Sequence, residues 1–178
     1  IAAFVLTSWD ADQDGDLDLV VWRDNTILLR NNGDGTAEVQ TLDAPPLVFA
    51  SIIDIDEDGA VDLIGIDNEA NLVLLKNERS GNIRQTPSPI PSLQVFGLDV
   101  GDFNNDGWMD IVFLDRTHTA YIGTNSHTNT FVPKRVGGNG KHVVAADIDN
   151  DTKLDVVVAG DNVKVFYANG NISSVPAN

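Results

Sequence analysis

Asp10-Ala11-Asp12-Gln13-Asp14-Gly15-Asp16-Leu17-Asp18 decides the fold, because the same nine-residue loop returns three more times. The later copies run from Asp54 to Asp62, from Asp102 to Asp110 and from Asp147 to Asp155. Each has side-chain oxygens at loop positions 1, 3, 5 and 9, an apolar residue at position 8 (Leu17, Val61, Met109, Leu154), and an apolar, largely β-branched run directly after it. Four copies in register point to a repeat architecture, and their chemistry points to a metal.

Hard cations such as calcium take about six to eight oxygen ligands, and acidic residues alternating around a tight turn aim several carboxylates at one centre. In the first loop Asp10, Asp12, Asp14 and Asp18 converge in this reading, with the backbone carbonyl of Asp16 as a fifth ligand. The second offers Asp54, Asp56, Asp58 and Asp62 with the carbonyl of Ala60. The third offers Asp102, Asn104, Asp106 and Asp110 with the carbonyl of Trp108, so one neutral amide replaces a carboxylate. The fourth offers Asp147, Asp149, Asp151 and Asp155 with the carbonyl of Lys153. Up to four calcium ions are expected. Magnesium, which keeps its waters and an octahedral shell, suits so many protein oxygens less well. Zinc is disfavoured, since the chain has no cysteine and none of its three histidines falls inside a loop.

Position 6 is Gly15, Gly59 and Gly107 in three loops and Thr152 in the fourth. A sharp turn there calls for positive φ, which glycine adopts freely and a β-branched residue resists. The fourth site is therefore expected to be strained, differently folded or weaker. The EF-hand opens in the same way but needs a glutamate at position 12 and flanking helices. Position 12 here is Val21, Gly65, Phe113 and Val158, and the flanks read as strands.

Loop starts at 10, 54, 102 and 147 lie 44, 48 and 45 residues apart, and a period in the forties built of short strands means propeller blades. The sequence predicts an all-β chain, a β-propeller of four-stranded antiparallel blades in one domain over 1–178. Its units run about 1–43, 44–90, 91–136 and 137–178. In the first unit the strands fall near 4–9, 17–22, 26–30 and 37–42. Poorer outer strands are expected near 82–86 and 171–175. Pro45 and Pro46, and then Pro87, Pro89 and Pro91, fall between units, where a residue that cannot donate to a ladder is tolerated. Pro133 falls in an outermost strand.

The runs Leu17-Asp18-Leu19-Val20-Val21, Val61-Asp62-Leu63-Ile64-Gly65, Met109-Asp110-Ile111-Val112-Phe113 and Leu154-Asp155-Val156-Val157-Val158 behind the loops resemble FG-GAP and VCBS repeats. These occur in integrin α-subunit propellers and many secreted bacterial proteins. Phe96-Gly97 resembles the Phe-Gly that names the repeat, and Asn31-Asn32-Gly33-Asp34-Gly35-Thr36 is similar to the turn of VCBS-type blades. The resemblance covers essentially the whole chain. It implies that the loops bind calcium on a blade hairpin, away from the partner-binding face, and so support the scaffold.

Net charge is −16, yet 17 of the 27 acidic residues lie inside the four loops, so the acidity is mostly a metal-site signature. It speaks against nucleic acid, which attracts a basic patch. No apolar run approaches the roughly 20 residues needed to span a bilayer, so direct membrane insertion is not expected. The chain opens at Ile1 without Met and reads as a processed or excised piece, with ring closure by further blades as the favoured expectation. Calcium loops of extracellular affinity fill only where calcium is about millimolar, which points to an extracellular, periplasmic or cell-surface setting.

The leading expectation for function is a non-catalytic scaffold that presents loops to a protein or a glycan. The rival is the propeller portion of a secreted carbohydrate-active enzyme or a lectin, since similar propellers occur in some polysaccharide-processing enzymes. His118, His127 and His142 stand without a paired Ser or Cys motif and read as surface or structural residues. Asp24, Asp67, Asp115 and Asp161 follow the second strand of each unit and read as Asx turns. Trp9 and Trp22 read as core, whereas Trp108, inside a loop, suits either packing or sugar stacking. Asn150-Asp151-Thr152 and Asn171-Ile172-Ser173 match the glycosylation acceptor pattern.

Overall fold

The computed structural model describes residues 4–22, 24–79 and 81–176, and these residues form only strands, turns and bends. Among them, sixteen strands make four antiparallel sheets of four, each with its strands in sequence order. The first sheet holds β1 (Phe4–Trp9), β2 (Asp18–Trp22), β3 (Thr26–Asn31) and β4 (Ala37–Thr41). The second holds β5 (Leu47–Ile53), β6 (Asp62–Asp67), β7 (Leu72–Asn77) and β8 (Ile83–Thr86). The third holds β9 (Val95–Gly101), β10 (Asp110–Asp115), β11 (Ala120–Asn125) and β12 (Phe131–Gly137). The fourth holds β13 (His142–Ala146), β14 (Asp155–Ala159), β15 (Asn162–Phe166) and β16 (Ile172–Pro176). Among the described residues no helix is long and apolar enough to cross a membrane.

The chain forms two compact units, Ile1–Pro91 and Ser92–Asn178, each containing two sheets. In the first unit Trp9, Val20, Leu28 and Leu42 pack with Leu47, Leu63, Val73 and Leu75. In the second, Val112, Leu114 and Ala120 pack with Val143, Val156 and Val158. Alternation in a strand buries one face, whereas a continuous apolar run buries both. The run Leu63-Ile64-Gly65-Ile66 in β6 and Ile111-Val112-Phe113-Leu114 in β10 are buried at every position. At Gly65 a Cβ would stand 2.8 Å from the carbonyl oxygen of Phe49, so the strand fits there only without a side chain.

The second strand of each sheet begins at loop position 9, one residue later than position 8. Leu17 is 62% exposed whereas Asp18 is fully buried, so the aspartate, and not the leucine, turns inward. Pro133 lies in β12, the outer strand of its sheet, opposite Gly123. A register shift interrupts the pairing of the first strand in three sheets, at Val5/Thr7, Leu47/Phe49 and Leu114/Asp115. Phe96 is the extra residue in the third of these and is half exposed.

Candidate metal centres

Each acidic loop is the turn between the first and second strands of its sheet, and one hydrogen-bond lattice shapes all four. The position-1 carboxylate takes the amides of positions 5 and 6. Asp10 accepts from Asp14 and Gly15, Asp54 from Asp58 and Gly59, Asp102 from Asp106 and Gly107, and Asp147 from Asp151 and Thr152, all at 2.9 to 3.2 Å. The position-5 carboxylate takes the amide of position 7, from Asp16, Ala60, Trp108 and Lys153, at 2.8 to 3.0 Å. Carboxylates this heavily supplied with N–H donors are held in fixed directions.

The position-9 carboxylate is the most committed. Asp18 accepts from the amides of Ala11 and Asn31, Asp62 from Ile55 and Asn77, Asp110 from Phe103 and Asn125, and Asp155 from Ile148 and Ala168, at 2.7 to 3.2 Å. Each is at most 1% exposed. One oxygen thus ties down the start of the loop and the other the end of the third strand or, in the fourth sheet, the turn just beyond it. Burial pushes the carboxyl of Asp62 up to about 6, against the two amide hydrogen bonds that favour its charged form. Ligand spacing alone assigns these residues to the metal. The signal for the clamp was there in Asn31, Asn77 and Asn125, which recur after three of the four.

Position 6 takes positive φ throughout: 99° at Gly15, 83° at Gly59, 88° at Gly107 and 70° at Thr152. The fourth loop therefore keeps the shared path and leaves a β-branched residue in the left-handed region. Position 4 is also left-handed, at Gln13, Glu57, Asn105 and Asn150, with φ from 56° to 64°. The glycine at position 6 had not revealed this second turn. A strained left-handed residue costs about 1 to 3 kcal/mol, and glycine gives back about 0.5 to 1 kcal/mol in unfolded-chain entropy. Thr152→Gly is therefore expected to stabilise the metal-free protein by about 1 kcal/mol in urea unfolding, and to tighten calcium at the fourth loop. A loss of stability would show that the threonine side chain supports the turn.

Three carboxylates offer oxygens within 4.8 Å of one another in the first loop (Asp10, Asp12, Asp18), the second (Asp54, Asp56, Asp58) and the fourth (Asp147, Asp149, Asp155). Three of the ligands expected from sequence thus lie together in each of these loops, with Asp14, Asp62 and Asp151 outside the triads. In the third loop the neutral Asn104 donates to Asp106 Oδ2 at 2.8 Å, so positions 3 and 5 satisfy each other. The Trp108 ring stacks on His127 at 4.3 Å, and His127 Nε2 lies 3.6 Å from Asp106 Oδ2.

The first loop carries an imbalance that a cation would relieve. Oδ1 of Asp12 is sealed from solvent and has no hydrogen-bond partner. Burial raises the pKa of Asp12, and the charges of Asp14 and Asp18 raise it further, against Arg30 and the amide of Asp14, which lower it. In the fourth loop burial raises Asp149, with Asp151 and Asp155 adding to it. All donors are oxygens, the set that suits calcium and not zinc.

Outside the loops, Asp67 accepts from the amides of Glu69 and Asn71, and Asp115 from those of Thr117 and Thr119, so both form the expected turns. Trp9 is buried in the core.

Residues 54–113 match the FG-GAP-like repeat. The FG-GAP-like match begins at the first ligand of the second loop and runs through the third loop into β10. No curated protein sequence matches the chain. Among solved structures, the chain is similar to BBS1N in complex with ARL6DN, soaked with lead, with a TM-score of 0.64 and 16% identity over 97% of this chain and 55% of that one. It is also similar to the V. cholerae biofilm matrix protein Bap1, with a TM-score of 0.58 and 14% identity over 96% of this chain and 28% of that one. At these identities the likeness is one of fold, and the chain spans about half or less of each of these proteins.

Proposed function

We propose that this chain is a non-catalytic, calcium-stabilised β-propeller segment whose four sheets are blades, and that it works outside the cytoplasm as a scaffold for a protein or glycan partner. One observation carries the calcium part. Three convergent carboxylates in the first loop include an oxygen, Oδ1 of Asp12, that is cut off from solvent and has nothing to bond. A buried acceptor without a partner is costly, and a hard cation is the partner that an all-oxygen cluster takes best. Asp10, Asp12 and Asp18 would hold it, and its charge would neutralise the loop. The FG-GAP-like match supports the same reading.

An affinity of about 0.1 to 1 mM, expected for loops with this much exposure, supports a working site where calcium is abundant. A scaffold role is supported by what the histidines do. His118 Nδ1 lies 3.0 Å from the carbonyl of Gly140, and His127 is stacked on Trp108, so both are spent on loop and turn contacts. A protein partner is supported by BBS1N, which was crystallised in complex with ARL6DN.

Exposing the chain with 1 mM calcium to a glycan array and to soluble polysaccharides separates the readings. Saturable binding to a glycan that chelator abolishes, without turnover, makes it a lectin-like scaffold. No glycan binding leaves a protein as the partner. Polysaccharide turnover would overturn the non-catalytic reading.

A further inference from the structure

The second loop differs from the others in one contact. The ammonium of Lys76, next to last in β7, forms a hydrogen-bonded ion pair with Asp56 Oδ2. The two side chains are 17% and 24% exposed, so the pair lies within the loop and is only partly screened by water. The backbone on the far side is fixed, because Asn77 gives its amide to Asp62 at 2.7 Å and its side-chain amide to the carbonyl of Ala11 at 2.7 Å. Arg79 adds a second cation, donating to the carbonyl of Asp58 at 2.6 Å.

In the first loop the residue in the matching place is Arg30, just before Asn31. Its guanidinium is drawn elsewhere, to the carbonyl of Gly81 and to Gln40 Oε1, and its nearest nitrogen is 3.9 Å from Asp12 Oδ2. In the third and fourth loops the matching residues are Thr124 and Tyr167, which carry no charge. The remaining ligand set of the second loop is complete. Asp54, Asp56 and Asp58 converge within 4.8 Å, and Oδ1 of Asp56 is sealed and without a partner.

We infer that Lys76 is a tethered stand-in for the metal: its ammonium supplies the cation of the second loop, so that this loop takes calcium far more weakly than the first. The inference rests on the calcium reading of the first loop. A divalent ion entering the second loop must expel the ammonium or bind beside it, and either course works against a unit charge a few ångströms away. Tethering makes the competitor permanent, since its effective concentration is set by the chain and not by the medium.

Calcium is titrated into the full wild-type chain and into Lys76→Met, with bound ions counted by calorimetry. Each loop is followed through its position-6 amide, which donates to the first ligand, in nitrogen–proton correlation spectra. In the wild type the Gly59 signal is expected to move at calcium levels at least about tenfold above those that move Gly15. In Lys76→Met the two should move together and one more ion should bind, while Lys76→Arg, which keeps the charge and tests for simple disruption, should keep the Gly59 midpoint as high as in the wild type. A wild-type Gly59 midpoint equal to that of Gly15, or one unchanged in Lys76→Met, overturns the role of Lys76 and leaves the calcium reading standing. If only Gly59 responds, and only in the variant, the calcium reading of the first loop fails and the role of Lys76 stands. If no loop responds in either protein, both fail.

Discussion

Removing calcium from the loaded protein with a chelator is expected to lower its melting temperature by about 5 to 10 °C. A ligand that binds only the folded state adds RT ln(1 + [L]/Kd) to stability. At ~1 mM calcium and ~0.1 mM affinity each filled loop contributes about 1.4 kcal/mol. With the first loop filled, the third weakened by the Asn104–Asp106 pairing, the fourth by Thr152, and the second held by Lys76, the total is about 2 to 3 kcal/mol. In a domain of this size each kcal/mol moves the midpoint by about 2 to 4 °C. A melting temperature indifferent to chelator would sink the calcium reading, and magnesium at the same concentration should recover little of the shift.

The second large effect concerns the clamp. Asp62→Ala is expected to cost about 3 kcal/mol in urea unfolding, and to cost it equally with calcium or with chelator. The substitution leaves the buried amides of Ile55 and Asn77 without their acceptor, and each such loss costs about 1 to 3 kcal/mol. Relief from burying a carboxylate, whose pKa stands at about 6, offsets part of this. Asp62→Asn keeps one acceptor and should cost roughly half as much. A loss under 1 kcal/mol, or one that disappears in chelator, would show that Asp62 serves the metal and not the backbone.

The sheets were legible because two periodicities agree. A nine-residue loop recurring at an interval in the forties fixed where each first and second strand meet, and apolar runs behind each loop fixed the second strands. The left-handed turn at position 6 was equally readable from Gly15, Gly59 and Gly107, and Thr152 followed it despite its side chain. What the sequence hid depends on partners far along the chain. The second oxygen of Asp62 meets an amide 15 residues later and the ammonium of Lys76 meets a carboxylate 20 residues earlier. Neither follows from ligand spacing, which says which oxygens are present but not which are already engaged. Position 4 was hidden for a different reason. Gln13, Glu57, Asn105 and Asn150 have no common chemistry that announces a left-handed backbone.

The residues that accept amides at positions 1, 5 and 9 are aspartate in all four copies, while positions 3 and 6 vary among them. A duplicated hairpin built this way separates its carpentry from its inorganic chemistry. Substitution at position 3, or a lysine arriving from the neighbouring strand, can silence one ion and leave the bend that joins the strands intact. The number of ions such a protein carries can then drift one copy at a time, and two descendants of the same array can live at very different calcium levels while folding to the same shape.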